Sequence, residues 1–335
     1  MRLTKRRFIT ISACCAASGM AAVTSPKLAM AALPAYKEPY YWQGIALGAN
    51  ASLTLYHEDS KISAALTRQC FQEISRLEKI FSLYQDDSSI VTLNKQGYLN
   101  NPPVELVELI EKSLDYGRIT EGAFDITVQP LWELYSKHFS ASKNIVTGPN
   151  ESEILHALSY VNYQNIIIRK NKIAFTKSGM EITLNGIAQG YITDAVTSIL
   201  QRNGFKNILV NMGETRALGG HPNGDKWLSG IKSPINEKET IDNVRLENNA
   251  LATSGGYGTV FDANGKYHHL FNPKNGSSNN HYASVSVIAA SATEADALST
   301  AFSALEKSKI QDIISQKKDV SALISRDGKD SFWLT

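Results

Sequence analysis

The tightest constraint in this chain is a change of period near residue 185. Ile182 to Leu184 read as the end of a strand, whereas Ile192, Val196, Ile199 and Leu200 recur at helical spacing before a stop at Gly204. Asn185, Gly186 and Gly190 occupy the junction. Glycine lets the backbone approach a ligand closely, and the free N–H groups of an opening helix suit an anion such as a phosphate. The same residues also fit a plain tight turn with no ligand.

Around this junction the patterns alternate in groups. Residues 40–56 read as one or two strands. Ser60 is placed to cap a long helix whose face is Ile62, Leu66, Cys70, Ile74, Leu77 and Phe81. A polar loop follows to Ser88. A second helix begins at Pro102-Pro103, turns Val104, Val107, Ile110 and Leu114 inward, and ends near Gly117. Short helices are expected over 130–135 and 152–158, with an irregular polar stretch over 136–150 between them. A hairpin pairs 166–168 with 172–175. Further strands are expected at 208–211, 227–232, 244–246, 251–254, 267–271 and 284–289. A helix over 293–306, a short helix and a final hairpin complete the chain. Strands that come in runs with few helices between them predict an α+β fold with a mainly antiparallel sheet, not a doubly wound one.

The 335 residues, 43% of them hydrophobic, are enough for a substantial core. Net charge is +2, and residues 1–31 hold five basic residues and no acid, so the remainder is slightly acidic and carries no nucleic-acid footprint. Those 31 residues read as an export signal: a basic run ending at Arg7, a moderately apolar stretch, and Ala29-Met30-Ala31 as a cleavage site. Lys5-Arg6-Arg7-Phe8 is similar to a twin-arginine signal, and an ordinary secretory signal is the alternative. Residues 32–335 then form the mature domain, expected in the periplasm. No later apolar run approaches the ~20 residues that span a bilayer. Cys14 and Cys15 fall within the signal, where Ile11-Ser12-Ala13-Cys14 only superficially matches a lipid-anchor box. Cys70 is left as the sole mature cysteine, which excludes an intrachain disulfide or a cysteine metal cluster.

Three constellations could carry chemistry. Asp296 and Thr300 lie four apart on a helix that Thr293 can cap, and a carboxylate with a hydroxyl suits Mg²⁺; an acid complementing the helix dipole is the plain alternative. A strand breaks at Thr253-Ser254-Gly255-Gly256 into a glycine-rich turn. Beyond it His268 and His269 point to opposite faces of an alternating strand, so they do not readily share a metal; one could act as a general base, or both could be hydrogen-bonding histidines. Asp125 and Asp194 could bind a ribose or base edge, or serve as turn and cap residues.

Taken together, these motifs resemble the ApbE family of FAD:protein FMN transferases. The carrying segments are Phe81-Ser82-Leu83-Tyr84, residues 122–128, residues 184–194, Asn211-Met212-Gly213-Glu214, Ala252-Thr253-Ser254-Gly255, residues 269–273 and Ala295-Asp296-Ala297-Leu298-Ser299-Thr300. The match is similar to the NosX-like branch linked to nitrous-oxide reductase maturation. It implies a T-fold-like α+β architecture and FAD as the donor, held with Mg²⁺. By that resemblance the metal ligands are Asp296, Thr300 and the backbone carbonyl of Ala188. The flavin nucleotide would contact Tyr84, Ala123, Phe124, Asp125, Gly186, Gln189, Tyr191, Asp194, Ser254 and Leu270. His269 would be the base that deprotonates a threonine or serine hydroxyl on an exported acceptor flavoprotein, within a motif resembling Asp-x-x-(Ser/Thr)-Gly-Ala-(Ser/Thr). The hydroxyl then attacks the FMN-side phosphorus and AMP leaves.

Three departures from the family pattern stand out. Most members carry Lys where Gln189 stands, Asn272 replaces a usual Asp, and the Asn-x-Gly-Gly-Asp/Glu turn is shortened to residues 211–214. The first and third suit the NosX-like branch. Two other activities remain compatible with the sequence: a non-catalytic FAD-binding or flavin-delivery protein, and an Mg²⁺-dependent FAD pyrophosphatase in which water replaces the hydroxyl.

Overall fold

A computed structural model describes residues 39–46, 49–56, 60–141, 145–236 and 238–335. The expected signal segment, with Cys14 and Cys15, lies outside the described residues, as does the side chain of Ser60.

The chain opens with β1 (Tyr40–Ala46), β2 (Ala49–Leu55), α1 (Ser60–Phe81), α2 (Ser89–Gln96), β3 (Tyr98–Asn100) and α3 (Val104–Ile119). Next come α4 (Gln129–Ser140), α5 (Glu151–Leu158), β4 (Ile166–Arg169), β5 (Lys172–Phe175) and α6 (Ala188–Arg202). Then follow β6 (Ile208–Asn211), β7 (Thr215–Leu218), β8 (Trp227–Lys232), β9 (Thr240–Leu246) and β10 (Ala250–Gly255). The chain closes with β11 (Ser284–Ala289), α7 (Ala292–Phe302), α8 (Lys307–Ser315), β12 (Ser321–Ser325) and β13 (Ser331–Leu334). The main sheet has eight strands in the order β1-β2-β6-β7-β10-β11-β12-β13. Every neighbouring pair in it is antiparallel, so the mainly antiparallel α+β expectation holds.

Period-two alternation sorts the strand residues onto two faces. Leu53, Val210, Ala252, Val285, Val287 and Ile324 join the large core under α1, α6 and α7. Ala217, Leu251 and Leu323 face the other way and are covered by the β8–β9 hairpin through Trp227, Ile231, Val244 and Leu246. A third cluster packs Leu131 and Tyr135 of α4 and Ala157 of α5 against Phe271. Each fully buried large apolar side chain contributes about 1.5–3 kcal/mol.

Several local expectations change. Ile182–Leu184 forms no strand and joins no sheet. The Asn94 side chain takes both backbone groups of Ile182, at 2.9 Å each, and Thr183 donates to the Ile126 carbonyl at 2.8 Å. An α2 helix and strands β3 and β7 occupy stretches that the sequence left unassigned. The α2 signals are a Ser88 cap that accepts from Val91 N and a left-handed Gly97 at φ 73°. No strand forms over 267–271; only single bridges link Val260 to His268 and Phe271 to Ser278. There the Ser278 hydroxyl and the His268 imidazole accept the His268 and Leu270 N–H groups that a strand partner would take. Helix α4 reaches Ser140, into the stretch read as irregular. Ile62, in the first turn of α1, is exposed, and so is Val104, because the buried face of α3 is Leu106, Leu109, Ile110, Ser113 and Gly117.

Candidate functional site

Asp296, Thr300, Ser254, Gly186 and Ala188 come together where α6 and α7 cross beside the end of β10. Two glycines permit the crossing. A Cβ on Gly190 would stand 2.3 Å from the Ala292 carbonyl oxygen, and one on Gly186 would stand 2.9 Å from Thr300 Oγ1. The first would force the helices apart, and the second would displace the Thr300 side chain. Ala188 is the first residue of α6, so its carbonyl lies in the opening turn.

Helix α7 is capped by Ser291, which accepts from Glu294 N, and not by Thr293. Thr293 donates its hydroxyl to Asp194 instead, at 2.6 Å. Asp296 is buried and accepts from Gly190 N at 2.9 Å through Oδ2. One turn on, Thr300 Oγ1 lies 3.3 Å from Ser254 Oγ, which also meets Ser299 Oγ at 2.8 Å. Asp296, Thr300, Ser254, Gly186 and Ala188 thus form one cluster.

The electrostatics of this cluster are one-sided. Burial raises the Asp296 carboxyl to about 7, the Gly190 N–H opposing the shift and the Asp194 charge adding to it. Burial first, and Asp296 second, hold Glu214 well above the carboxylate range, while a Thr253 N–H partly offsets them. Two buried acids face one another, and a bound cation would relieve both. Asp296, the Thr300 hydroxyl and the Ala188 carbonyl are all oxygen donors, the set a hard divalent cation prefers. Among the described residues no three His, Cys, Asp or Glu side chains gather into a metal site.

His269 sits on the loop beyond β10. Its backbone N–H donates to the Thr259 carbonyl at 3.1 Å, and its Nδ1 lies 3.2 Å from the same oxygen. A carbonyl only accepts, so Nδ1 carries the proton and Nε2 of the neutral ring keeps its lone pair. Burial lowers the His269 pKa, against the raising effect of the Thr259 contact, and favours that neutral form. Gly258 leaves the ring edge open: a Cβ there would stand 3.3 Å from Cε1. His268 is buried, against Gly256, and its pKa is also lowered by burial.

The remaining candidates separate by what holds them. Tyr84 is 74% exposed, a ring available to stack on a planar ligand. Ala123, Phe124 and Leu270 are buried, and the Phe124 N–H donates to Thr120 Oγ1. Asp125 accepts from Thr127 N, Thr127 Oγ1 and Tyr163 N, so three contacts inside the protein engage its carboxylate. The Tyr191 hydroxyl donates to Glu108 at 3.0 Å and its ring meets Phe81 edge-on, which aims it at α1 and α3. Asp194 accepts from Ala292 N, Thr293 N and Thr293 Oγ1.

Two of the departures from the family pattern meet in space. Gly213, at φ 100°, is the centre of the shortened turn, and a Cβ on it would stand 2.4 Å from Gln189 Nε2. The Gln189 amide therefore packs directly on that turn. Asn272 accepts from Lys274 N at 2.9 Å, a turn-closing bond that an aspartate oxygen would make equally well. Sequence reasoning missed Arg216, on β7, whose Nε lies 3.5 Å from Asp194. Its only signal is a lone charge in a short alternating stretch. A cleft of about 440 Å³ beside α4 and α5, lined by Glu133, His156, Tyr160 and Glu181 among others, contains none of the motif residues.

Comparison with known proteins places this geometry. The ApbE family model matches residues 47–324. The chain is 26% identical over 291 residues to the FAD:protein FMN transferase of Escherichia coli K12, covering 83% of this chain and 82% of that protein. It is 28% identical over 302 residues to the enzyme of the same name from Haemophilus influenzae, covering 84% and 86%. The crystal structure of the ApbE protein from Thermotoga maritima superposes with a TM-score of 0.79 at 27% identity, over 88% of this chain and 96% of that one. With most of its length matched, the chain belongs to the ApbE family.

Proposed function

We propose that this protein transfers FMN from FAD to a hydroxyl side chain of an acceptor protein and releases AMP. The observation that carries the reading is His269, with Nδ1 held at the Thr259 carbonyl and Nε2 left as proton acceptor. The short turn Gly256–Gly258 connects it to the Ser254–Thr300 contact. The acceptor hydroxyl gives its proton to Nε2, its oxygen bonds to the FMN-side phosphorus, and the pyrophosphate bond to AMP breaks. The lowered His269 pKa keeps the base ready at neutral pH. Gly186 and Gly190 let backbone approach the nucleotide, and Tyr84 offers it a face.

Asp296, Thr300 and the Ala188 carbonyl would hold Mg²⁺. When bound there it neutralises the pyrophosphate and stabilises the leaving oxygen. The acceptor residue is threonine, or serine, in an exported flavoprotein, and the protein itself is periplasmic, exported by a twin-arginine signal in residues 1–31. Gln189 and the shortened turn support the NosX-like branch, with an acceptor in nitrous-oxide respiration. No helix among the described residues is long and apolar enough to cross a membrane.

The test is an intact-mass assay with signal-free protein, FAD, Mg²⁺ and an exported domain bearing the acceptor motif. A gain of one FMN at the motif threonine, absent with EDTA, is expected. FAD bound without any gain would overturn the transfer reading in favour of flavin delivery. Free FMN and AMP formed without acceptor would point to a pyrophosphatase. Cell fractionation tests the export reading separately.

A further inference from the structure

Helices α6 and α7 are cross-linked by two carboxylates that each serve the other helix. Asp194 belongs to α6 but caps α7, accepting from Ala292 N at 2.9 Å and from Thr293 N and Oγ1 at 2.9 and 2.6 Å. Asp296 belongs to α7 but accepts from Gly190 N, in the first turn of α6, at 2.9 Å. Arg216 Nε approaches Asp194 Oδ1 at 3.5 Å from β7 below. A carboxylate offers about four acceptor positions. For Asp194 the Ala292 N–H takes Oδ1, which the Arg216 guanidinium also approaches, and the two Thr293 groups take Oδ2. Most of its accepting capacity is therefore spent inside the protein.

We propose that Asp194 is a positioning residue for FMN transfer, not a flavin contact. Through Thr293 it sets where α7 presents Asp296 and Thr300 to the opening turn of α6. The leverage comes from the backbone contact at Gly190. With a carbonyl packed where a side chain would stand, the helices have no flexible side chain between them to absorb a shift. Releasing the Asp194 cap frees the first turn of α7, and Asp296 lies within that helix one turn on. Arg216 approaches the same carboxylate from β7 and helps orient it. The proposal rests on Asp296 and Thr300 as the metal end of the donor site.

The experiment uses the signal-free protein with Thr293→Val, which removes only the hydroxyl bond, Thr293→Ser, which keeps it, and Asp194→Asn. Mn²⁺ affinity is read by electron paramagnetic resonance without FAD, FAD affinity by fluorescence in EDTA, and transfer kinetics as a function of Mg²⁺. Thr293→Val and Asp194→Asn should weaken Mn²⁺ binding and raise the half-saturating Mg²⁺ by roughly fivefold, the worth of one hydrogen bond. Saturating Mg²⁺ should restore kcat, and Thr293→Ser should behave as wild type. Wild-type metal affinity and kcat in Thr293→Val would overturn the proposal. So would an Asp194→Asn protein that loses FAD affinity in EDTA with metal affinity intact, the mark of a direct flavin contact. Asp296→Ala separates the underlying assignment. Unchanged Mn²⁺ affinity in that variant removes the metal assignment on which the proposal rests, whereas weakened Mn²⁺ binding in Asp296→Ala beside wild-type behaviour in Thr293→Val overturns the positioning role alone.

Discussion

His268 and His269 are neighbours with the same direction of pKa shift, yet their surroundings assign them different work. His268 is enclosed by Gly256 and the Ser278 loop, and its Nδ1 accepts from Leu270 N at 3.3 Å. His269 spends only Nδ1 on the protein, at Thr259. A base must be unprotonated, and burial lowers the His269 pKa below its usual 6.5. The transfer rate should therefore rise with pH through a value under 6.5 and stay level across neutrality, read from a pH–rate profile. His269→Ala should lose transfer by about 10²–10⁴-fold while FAD affinity is unchanged. Equal activity would remove His269 from the base role. The two histidines stood out in the sequence, but the alternating strand expected to carry them does not form, and which one is enclosed was not readable. That depends on Gly256, Gly258 and Ser278 arriving from other segments.

At the scale of elements, the α6–α7 crossing is the point where small changes have large effects. Gly190→Ala places a methyl against the Ala292 carbonyl, so the helices must separate. We expect a loss of about 1–3 kcal/mol by urea denaturation, with metal affinity falling in the same variant. Unchanged stability would show that the crossing tolerates expansion. The helix α6 was readable because its apolar period is long and its Gly204 stop is clear. Ile182–Leu184 was misread because its alternation is that of a strand, whereas its hydrogen bonds come from the Asn94 side chain, 88 residues away. Periodicity reports which side of a segment is buried and not what its backbone pairs with. The β3 and β7 strands were missed for a related reason: at three and four residues they carry too few alternations to stand out.

For the whole molecule, the sheet is sandwiched, with helices on one face and the β8–β9 hairpin on the other. Trp227 anchors that hairpin and is 5% exposed. Trp227→Ala should cost about 3–5 kcal/mol in a thermal or denaturant melt. Because the hairpin packs on the face opposite α6 and α7, residual folded protein should keep its metal affinity. Stability should also carry the signature of Asp296. Folded Asp296 holds its proton up to about 7, against a reference of 3.8 in the open chain, so the folded state binds more protons between those values. Metal-free protein should thus lose stability as pH rises across that window, by up to ~1.4 kcal/mol per pH unit for the one group. Denaturant midpoints between pH 4 and 7 test this, and Asp296→Asn should flatten the slope.

The amino-acid sequence alone determined the antiparallel α+β class and the long helices, because period, caps and glycine positions are local properties. It also placed Asp296 and Thr300 on one helical face. Tertiary structure decided the rest. Asp125, Asp194 and Tyr191 look like free polar groups in a motif, yet each is engaged by a distant partner: Tyr163, Thr293 with Arg216, and Glu108. A side chain's availability for a ligand depends on whether other groups already fill its hydrogen-bonding positions. Those groups come from segments up to 99 residues away in the chain, and only packing brings them together.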